Sequence, residues 1–364
     1  MKKILAITPF FYPHLGGSEA YMEGLYSYLK ENNPDLEIDV LCYNSDKAKE
    51  KEVYRGLNIY RIPCFTILPG QFILPRPLPL IKFLRKHRDY DLVNPSTRFF
   101  DSSWWAPLYA KMIGARLVLT DHCAYHPVSS NKTVNLFVKL IEATIVRFSL
   151  NFYSEVLVEN KKTKEFLKKN FNTDSKVAYP GLFEDVKVKR GENKRLKVIY
   201  VGRLIESKGV RELLEASKEF KEVDFIFAGD GSLLGEFKKE ARKLNNLKVL
   251  GAISRIEVMK LLKTSDIFAY PTWHSEGLPL ALVQAGQAGI AVVATDCGAI
   301  GEIIKDGDTG ILVKPADSKA FTEALVRLIV SRKLRTSLGN NLKDFTLKTF
   351  SWEKASNLII QNLN

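Results

Sequence analysis

Short apolar runs that each end in a turn and lead into a helical stretch recur along this chain, and they restrict its fold more than any other feature. Ile4 to Thr8 precedes a turn and a helix to about Glu31, and Ile267 to Pro271 precedes a segment that Pro279 can open as a helix. Strands that alternate with helices in this way predict parallel sheets with helices on both faces. We therefore expect an α/β protein with doubly wound sheets.

The runs fall into two series, and 364 residues suffice for two domains with full cores. A polar, charge-dense stretch separates the series. We predict a first domain at 1–182, a linker at 183–195 and a second domain at 196–345. Further strands are expected at Ile38 to Tyr43, Leu57 to Ile62, Leu92 to Asn94, Arg116 to Thr120, Val156 to Glu159, Lys176 to Ala178, Leu196 to Val201, Phe225 to Ala228, Val249 to Leu250 and Ala291 to Ala294.

The charge balance, 54 basic against 41 acidic residues with a net charge of +13, favours an anionic partner: nucleotide phosphates, nucleic acid or an anionic membrane surface. The four cysteines are scattered without paired or metal-type spacing, so we expect no disulfide framework and a cytoplasmic protein. No apolar stretch has the length of a membrane-spanning helix. Any contact with the inner face of the cell membrane is therefore expected to be peripheral.

Glycine-rich turns follow several predicted strands, and parallel strands place such turns on one rim of a sheet. Gly16 and Gly17 follow the first strand, where backbone amides can approach a ligand, and Ser18 is expected to cap the next helix. His122 follows the strand at Arg116 to Thr120 and is a candidate polar contact on that rim. Its proximity in sequence to Cys123 and His126 is weak support for a metal site.

The second series places positive charge on its rim. Arg203 and Lys208 lie five residues apart on the turn after Leu196 to Val201, where an arginine fork and a lysine point charge suit a pyrophosphate. The helix opened by Pro279 offers free amides and a positive dipole end to an anion, and Glu276 can accept hydroxyl hydrogen bonds beside it. Phosphate and hydroxyl recognition together suggest a nucleotide sugar.

One proline-broken apolar segment, Phe65 to Ile81, is expected to be a loop. The basic run Lys82 to Arg88 follows it. An apolar loop beside a cationic helix could dock on lipid headgroups. The alternative is a lid over the protein's own core next to an ordinary solvated helix.

In order and spacing, these motifs resemble the retaining GT-B glycosyltransferases of family 4. The resemblance covers nearly the whole chain and rests on Gly16-Gly17-Ser18-Glu19, Val201-Gly202-Arg203-Leu204 with Lys208-Gly209, Gly229-Asp230-Gly231, Glu276-Gly277-Leu278-Pro279, and Gly301-Glu302-Ile303-Ile304. It implies two Rossmann-like domains facing across a cleft. It also implies that a C-terminal helix at 346–364 crosses back onto the first domain.

The resemblance implies a role for each site residue. Arg203 and Lys208 would bind the diphosphate of the donor, Glu276 the sugar hydroxyls, and His122 would lie near the sugar's C6 side and the reacting carbon. Fixed positive charge would replace a metal ion, no cofactor would be needed, and the anomeric configuration would be retained. The remaining donor-binding positions are Gly16, Gly17, Gly202, Gly231, Ile253, Gly277, Leu278, Pro279, Leu280 and Gln284.

One position departs from the family pattern. Where the family has a second glutamate for the nucleotide ribose, this chain has Gln284, and an amide offers only one accepting oxygen. We therefore expect weakened or altered ribose binding. The predicted function is transfer of a hexose from an NDP-sugar, with UDP or GDP as nucleotide, to a glycan, lipid-linked or small-molecule acceptor.

Two other functions compete with this one. A nonhydrolysing UDP-sugar epimerase would have the same fold, but the Gly16-Gly17 turn and the Glu276 stretch disfavour it. A nucleic-acid-binding protein would suit the charge, but the basic residues are dispersed and no helix-turn-helix, RNP-type or zinc motif is present.

Overall fold

The computed structural model describes residues 1–14, 16–68, 72–126, 132–188, 195–275 and 277–363, and the chain divides into two compact units. Unit 1 comprises Met1–Gly181 and Ser351–Asn364, and unit 2 comprises Leu182–Phe350. The first division lies one residue from the predicted boundary at 182. The predicted boundary at 345 falls inside a helix that continues to Thr349.

Unit 1 is built on an eight-stranded sheet with the order β10-β9-β8-β7-β1-β2-β4-β3, in which the edge strand β3 is antiparallel and the other pairs are parallel. β5 and β6 form a separate two-stranded hairpin. The strands are β1 (Lys3–Ile7), β2 (Glu37–Tyr43), β3 (Lys51–Tyr54), β4 (Leu57–Ile62), β5 (Cys64–Leu68), β6 (Phe72–Pro75), β7 (Leu92–Pro95), β8 (Arg116–Asp121), β9 (Glu155–Val158) and β10 (Lys176–Val177).

Helices cover both faces of this sheet. Ile4 and Ala6 of β1 belong to a buried cluster on one face, and Leu5 and Ile7 belong to a cluster on the other, as the two-residue period of a strand requires. The helices are α1 (Gly17–Asn32), α2 (Pro77–Lys86), α3 (Ser102–Ile113), α4 (Lys132–Ile141), a π-helical segment (Glu142–Val146), α5 (Arg147–Leu150) and α6 (Lys161–Phe171).

Unit 2 has a six-stranded parallel sheet with the order β13-β12-β11-β14-β15-β16, which is the Rossmann order 3-2-1-4-5-6. Its strands are β11 (Lys197–Val201), β12 (Asp224–Ala228), β13 (Leu247–Gly251), β14 (Ile267–Tyr270), β15 (Ala291–Thr295) and β16 (Ile311–Val313). Its helices are α7 (Val210–Glu219), α8 (Leu234–Ala241), α9 (Arg255–Lys263), α10 (Leu280–Ala288), α11 (Ile300–Ile303), α12 (Ser318–Val330) and α13 (Arg332–Thr349).

The last helix, α14 (Trp352–Ile360), belongs to unit 1 and packs against α1. Its Trp352 is buried, with the ring edge-on to Tyr21 at a centroid distance of 5.5 Å. The start of the predicted linker is held by unit 2, because both backbone polar groups of Phe183 bond to the Gln287 amide and Asp185 pairs with Lys263. Residues 189–194 of that linker lie outside the described residues.

Two local predictions were wrong. Ser18 does not cap α1: the helix begins at Gly17 with Gly16 in the N-cap position, and the Ser18 hydroxyl donates to the Glu19 carboxylate at 3.2 Å. The segment Phe65 to Ile81 is not a loop. It contains most of the β5–β6 hairpin and the start of α2, because alternating apolar residues pair across the hairpin and Pro77 opens the helix; residues 69–71 lie outside the described ranges.

Across the residues described, no helix is both long enough and apolar enough to cross a membrane.

Candidate active site

The turn after β11 is held by its own hydrogen bonds and by the neighbouring turn after β12. The Tyr200 hydroxyl donates to the carbonyl of Arg203 at 2.9 Å, and Leu204 N–H donates to the carbonyl of Asp230 at 2.8 Å. Gly231 has a φ of 152°, and a Cβ there would lie 2.4 Å from the Leu204 carbonyl oxygen. The two turns therefore fit together only with glycine at position 231.

Lys208 ends a 3₁₀ turn (Glu206–Lys208) that follows Arg203, and only 5% of its surface is exposed. Its ammonium lies 5.9 Å from the centre of the Tyr270 ring. Burial, followed by the positive charge of Arg203, lowers the pKa of Lys208 to about 7. A buried lysine beside an arginine is stabilised in its charged form by an anion, so the turn is suited to bind one.

The loop after β14 is fastened to this turn. The carbonyl of Ser207 accepts hydrogen bonds from the Thr272 hydroxyl at 3.2 Å and from the backbone N–H groups of Trp273 and His274 at 3.2 and 3.3 Å. Thr295, at the end of β15, donates to the carbonyl of Thr272. The ends of three parallel strands are thus joined on one rim of the unit 2 sheet.

His274 adds a third basic side chain to this rim. Burial, followed by the charges of Lys208 and Arg203, lowers the pKa of His274. The sequence pattern did not single out His274 or Thr272. Their position directly after a predicted strand, in the stretch that contains Glu276, was the signal that could have identified them.

Helix α10 begins on the same rim. Pro279 occupies its N-cap position, and no side chain of the described residues caps the helix, so amides of the first turn are available to a ligand. Gly277, Leu278 and Leu280 flank this end. Glu276, predicted to bind the donor sugar, lies outside the described residues.

The other predicted donor-binding positions of unit 2 lie after its strands or on α10. Gln284 lies on α10 and is buried. Ile253 follows β13 and directly precedes Ser254, the N-cap of α9. Gly202 immediately follows β11, where its N–H donates to the carbonyl of Ala228 at 3.0 Å. Gly202 and Ile253 thus follow the carboxyl ends of their strands, whereas Gln284 lies in the middle of α10.

The candidates of unit 1 lie at the ends of β1 and β8. Gly16 caps α1, and a Cβ added there would lie 2.0 Å from a Glu19 carboxylate oxygen, whereas a Cβ on Gly17 would have open space. His122 follows β8 and is 8% exposed. Its Nδ1 lies 3.1 Å from the carboxylate of Glu159, a residue that the sequence placed at the end of a strand without a role.

A buried ion cluster supports the segment that carries His122. The Arg98 guanidinium donates to the Asp121 carboxylate and to the carbonyls of Cys123 and Tyr125 at 2.7 and 2.8 Å. It also lies 3.2 Å from Glu142, whose other carboxylate oxygen contacts His126. The two histidines of this segment thus face different carboxylates. Among the described residues no His, Cys, Asp and Glu side chains form a group of three that could hold a metal ion.

Comparison with known proteins identifies the class to which this fold and site belong. The family described as "Glycosyltransferase Family 4" matches residues 15–182, and "Glycosyl transferases group 1" matches residues 183–345. An uncharacterized glycosyltransferase of Methanocaldococcus jannaschii, MJ1069, is 30% identical, with 98% of this chain and 97% of the relative covered. The chain therefore belongs to the family 4 (group 1) glycosyltransferases, and it is a GT-B protein with two Rossmann-like domains.

A human protein and a solved structure are also similar to this chain. One human component of phosphatidylinositol N-acetylglucosaminyltransferase is 24% identical, covering 97% of this chain and 74% of the relative. The structure of Anabaena Alr3699/HepE in complex with UDP and glucose has a TM-score of 0.77 at 19% identity, covering 100% of this chain and 99% of the other.

Proposed function

We propose that this glycosyltransferase moves a hexose from an NDP-sugar, with UDP or GDP as nucleotide, to a glycan, lipid-linked or small-molecule acceptor, without a metal ion and with retention of configuration. One observation carries the proposal: Arg203, Lys208 and His274 gather on one rim, where the Ser207 carbonyl ties the turn after β11 to the loop after β14. Such a cluster matches the diphosphate of a nucleotide sugar.

The proposed mechanism uses these charges at the moment when the sugar leaves. Negative charge grows on the departing diphosphate, and the fixed charges of Arg203 and Lys208, with the amides at the start of α10, stabilise it without reorganisation. Glu276, by the family resemblance, holds the sugar hydroxyls, and Gly277 and Leu278 assist with their amides. By the same resemblance, the Gly17 amide and His122 of unit 1 would also contact the donor.

A direct test compares the transfer rates of Lys208→Ala and Glu276→Ala with that of Lys243→Ala. Lys243 is an exposed lysine of unit 2 whose ammonium bonds to Glu240, which makes it a matched control. Transfer should be abolished in the first two variants and unchanged in the control, with circular dichroism showing that all three are folded. Full activity in Lys208→Ala or Glu276→Ala would contradict the proposal.

The nucleotide can be identified by thermal shift against UDP, GDP, ADP and their sugars, because a ligand that binds only the folded state raises its melting temperature. We expect a UDP or GDP compound to give the largest shift. Incubation with a UDP-sugar and no acceptor distinguishes a transferase from an epimerase. A transferase leaves the configuration of the sugar unchanged, whereas an epimerase inverts it at one carbon.

We further propose a lipid-linked acceptor that is met at an anionic membrane surface. The human relative, by its name, acts on phosphatidylinositol. In unit 1, four apolar side chains on the segment from α4 to α5 are exposed: Leu136, Leu140, Ile145 and Phe148. The exposed charged residues between Leu136 and Phe148 are Lys139 and Arg147, and both are basic. Phe65 and Ile67 of the β5–β6 hairpin and Leu78 and Ile81 of α2 are exposed as well. Apolar side chains with basic neighbours suit anionic headgroups.

Flotation with phosphatidylglycerol-containing and pure phosphatidylcholine vesicles tests this contact. The double variant Leu140→Ser/Phe148→Ser should reduce binding to the anionic vesicles, as should Phe65→Ser/Ile81→Ser if the hairpin and α2 also touch lipid. Val330→Ser is the control, because Val330 of unit 2 is 76% exposed, against 67% for Phe148. Absence of salt-sensitive binding by the wild-type protein would contradict membrane docking.

A further inference from the structure

His122 and Glu159 lie opposite each other at the ends of neighbouring strands. β8 pairs in parallel with β9, with Asp121 opposite Val158, so the residues that follow each strand are also neighbours. The His122 Nδ1 lies 3.1 Å from the Glu159 carboxylate, and both side chains are buried. The sheet register itself therefore sets this contact.

The other ring nitrogen of His122 is the unusual feature. Nε2 is buried, and the described residues give it no hydrogen-bond partner. Tyr21 packs edge-on at a centroid distance of 5.1 Å, but its hydroxyl donates to the carbonyl of Ala178 at 2.8 Å. A buried polar group without a partner costs about 1–3 kcal/mol, and such groups in native proteins commonly meet a ligand or water. Nε2 therefore has a hydrogen-bonding capacity that the described residues do not use.

The charges around the His122 ring determine whether Nε2 is protonated and can donate a hydrogen bond. Burial alone lowers the pKa of His122, but the hydrogen bond and charge of Glu159, with the charges of Asp121 and Glu19, outweigh it and raise that pKa. The Asp121 charge is shared with Arg98. The ring therefore keeps both protons to a higher pH than an ordinary histidine, and Nε2 is then a donor.

We propose that Glu159 is a positioning residue that holds His122 through Nδ1–H, so that Nε2–H donates a hydrogen bond to a sugar hydroxyl or phosphate oxygen of the bound donor substrate. This inference rests on the proposed transferase function. The pair formed by His126 and Glu142 differs from the His122–Glu159 pair in two ways. Glu142 also pairs with Arg98, and His126 is substantially exposed.

The first test is histidine nitrogen NMR on the full-length protein without substrate, with the His122 signal assigned by its loss in His122→Asn. At about pH 6.5, where an ordinary histidine is half protonated, most of the wild-type His122 should carry protons on both nitrogens. Glu159→Gln should lower its titration midpoint by about one pH unit, because the amide keeps the acceptor but loses the charge. A mostly neutral wild-type ring at this pH, with its single proton on either nitrogen, would overturn the proposal, and this result does not depend on the folding of Glu159→Gln.

The second test is the pH dependence of kcat for wild type, Glu159→Gln, Glu159→Ala and His126→Asn. Glu159→Gln should keep activity at low pH and move the alkaline limb down by about one pH unit, whereas Glu159→Ala should lose about 10- to 100-fold throughout, as orienting partners typically do. His126→Asn should leave the limb in place. A purely structural role would lower activity without moving the limb, and an unmoved limb in Glu159→Gln would overturn the proposal.

The NMR and the transfer assay distinguish failure of the His122–Glu159 proposal from failure of the proposed transferase function. If no NDP-sugar supports transfer, the proposed function fails while the NMR still decides the His122–Glu159 pair. If transfer occurs, the nucleotide sugar that gives the largest thermal shift should move the His122 Nε2 resonance, and an unmoved resonance would overturn the contact with substrate.

Discussion

The segments that lead from β1 into α1 and from β11 into α7 follow the first strand of their Rossmann-like sheets, but the charged residues that they bring together differ. In unit 2, Arg203 and Lys208 follow β11, with His274 close by. In unit 1, Glu19 lies in the first turn of α1, and its negative charge helps to raise the pKa of His122, whose ring also contacts Glu159. We therefore expect the diphosphate to be held mainly by unit 2, with residues of unit 1 adding hydrogen bonds to sugar hydroxyl or phosphate oxygens.

Removing the charge of unit 2 should have the largest effect. Lys208→Met keeps the buried stem but loses the ammonium, and it should reduce kcat by about 10²–10³-fold, as loss of a charge-stabilising donor does. Measurement at saturating donor separates this loss from weaker binding. A reduction under tenfold would remove Lys208 from the stabilisation of the leaving group.

Replacing a glycine by alanine should destabilise the protein more at Gly231 of unit 2 than at Gly17 of unit 1. Gly231→Ala places a Cβ 2.4 Å from the Leu204 carbonyl oxygen at a φ of 152°, so it should lower the free energy of unfolding by about 1–3 kcal/mol. Gly17→Ala meets no atom within 4 Å, so its stability should change by under about 0.5 kcal/mol. Urea unfolding measures both. Equal losses would contradict the packing difference.

Nucleotide binding should depend on pH because Lys208 of unit 2 changes its protonation state. The pKa of Lys208 is about 7 in the free protein, and a bound diphosphate raises it, so binding takes up a proton and affinity falls as pH increases above 7, by up to about tenfold per pH unit. Calorimetry in buffers of different ionisation enthalpy should detect uptake approaching one proton near pH 8.5. Lys208→Arg, which is charged at every pH tested, should bind the nucleotide without taking up a proton. Absence of proton uptake by the wild-type protein would show that Lys208 does not cause the pH dependence.

The smallest effect is expected at Gln284. Because its amide offers one accepting oxygen to the ribose, Gln284→Ala should weaken nucleotide binding by about threefold to tenfold, as for one neutral hydrogen bond. Gln284→Glu should strengthen it. Titration calorimetry that finds unchanged affinity in Gln284→Ala would remove this residue from the ribose site.

The sequence predicted the parallel strands and the two-domain fold because buried strands are apolar throughout and end in glycine-rich turns. Leu57 to Ile62 was predicted to the residue. The edge strand β3 was missed, since Lys51-Glu52-Val53-Tyr54 alternates in burial and carries two charges. The β5–β6 hairpin was mistaken for a loop because its prolines lie at the ends of the paired segments.

Site residues were predictable where a motif marks them and not where the fold brings distant residues together. Arg203 and Lys208 lie on one turn, so their spacing was informative. Glu159 is 37 residues from His122 and meets it only through the pairing of β8 with β9. The depressed pKa of Lys208 also depends on burial against Tyr270, which no sequence spacing specifies.

The most direct test of the contrast between the two units is nucleoside diphosphate binding by calorimetry, with UDP and GDP, to wild type, Lys208→Met, Lys243→Ala and His122→Asn. Lys208→Met should lose most of the affinity. Lys243→Ala should bind as the wild type does, and His122→Asn should lose at most about tenfold, because we expect unit 2 to carry the charges that hold the diphosphate and His122 to add no more than one hydrogen bond. Wild-type affinity in Lys208→Met, or loss of nucleotide binding in His122→Asn alone, would contradict the account.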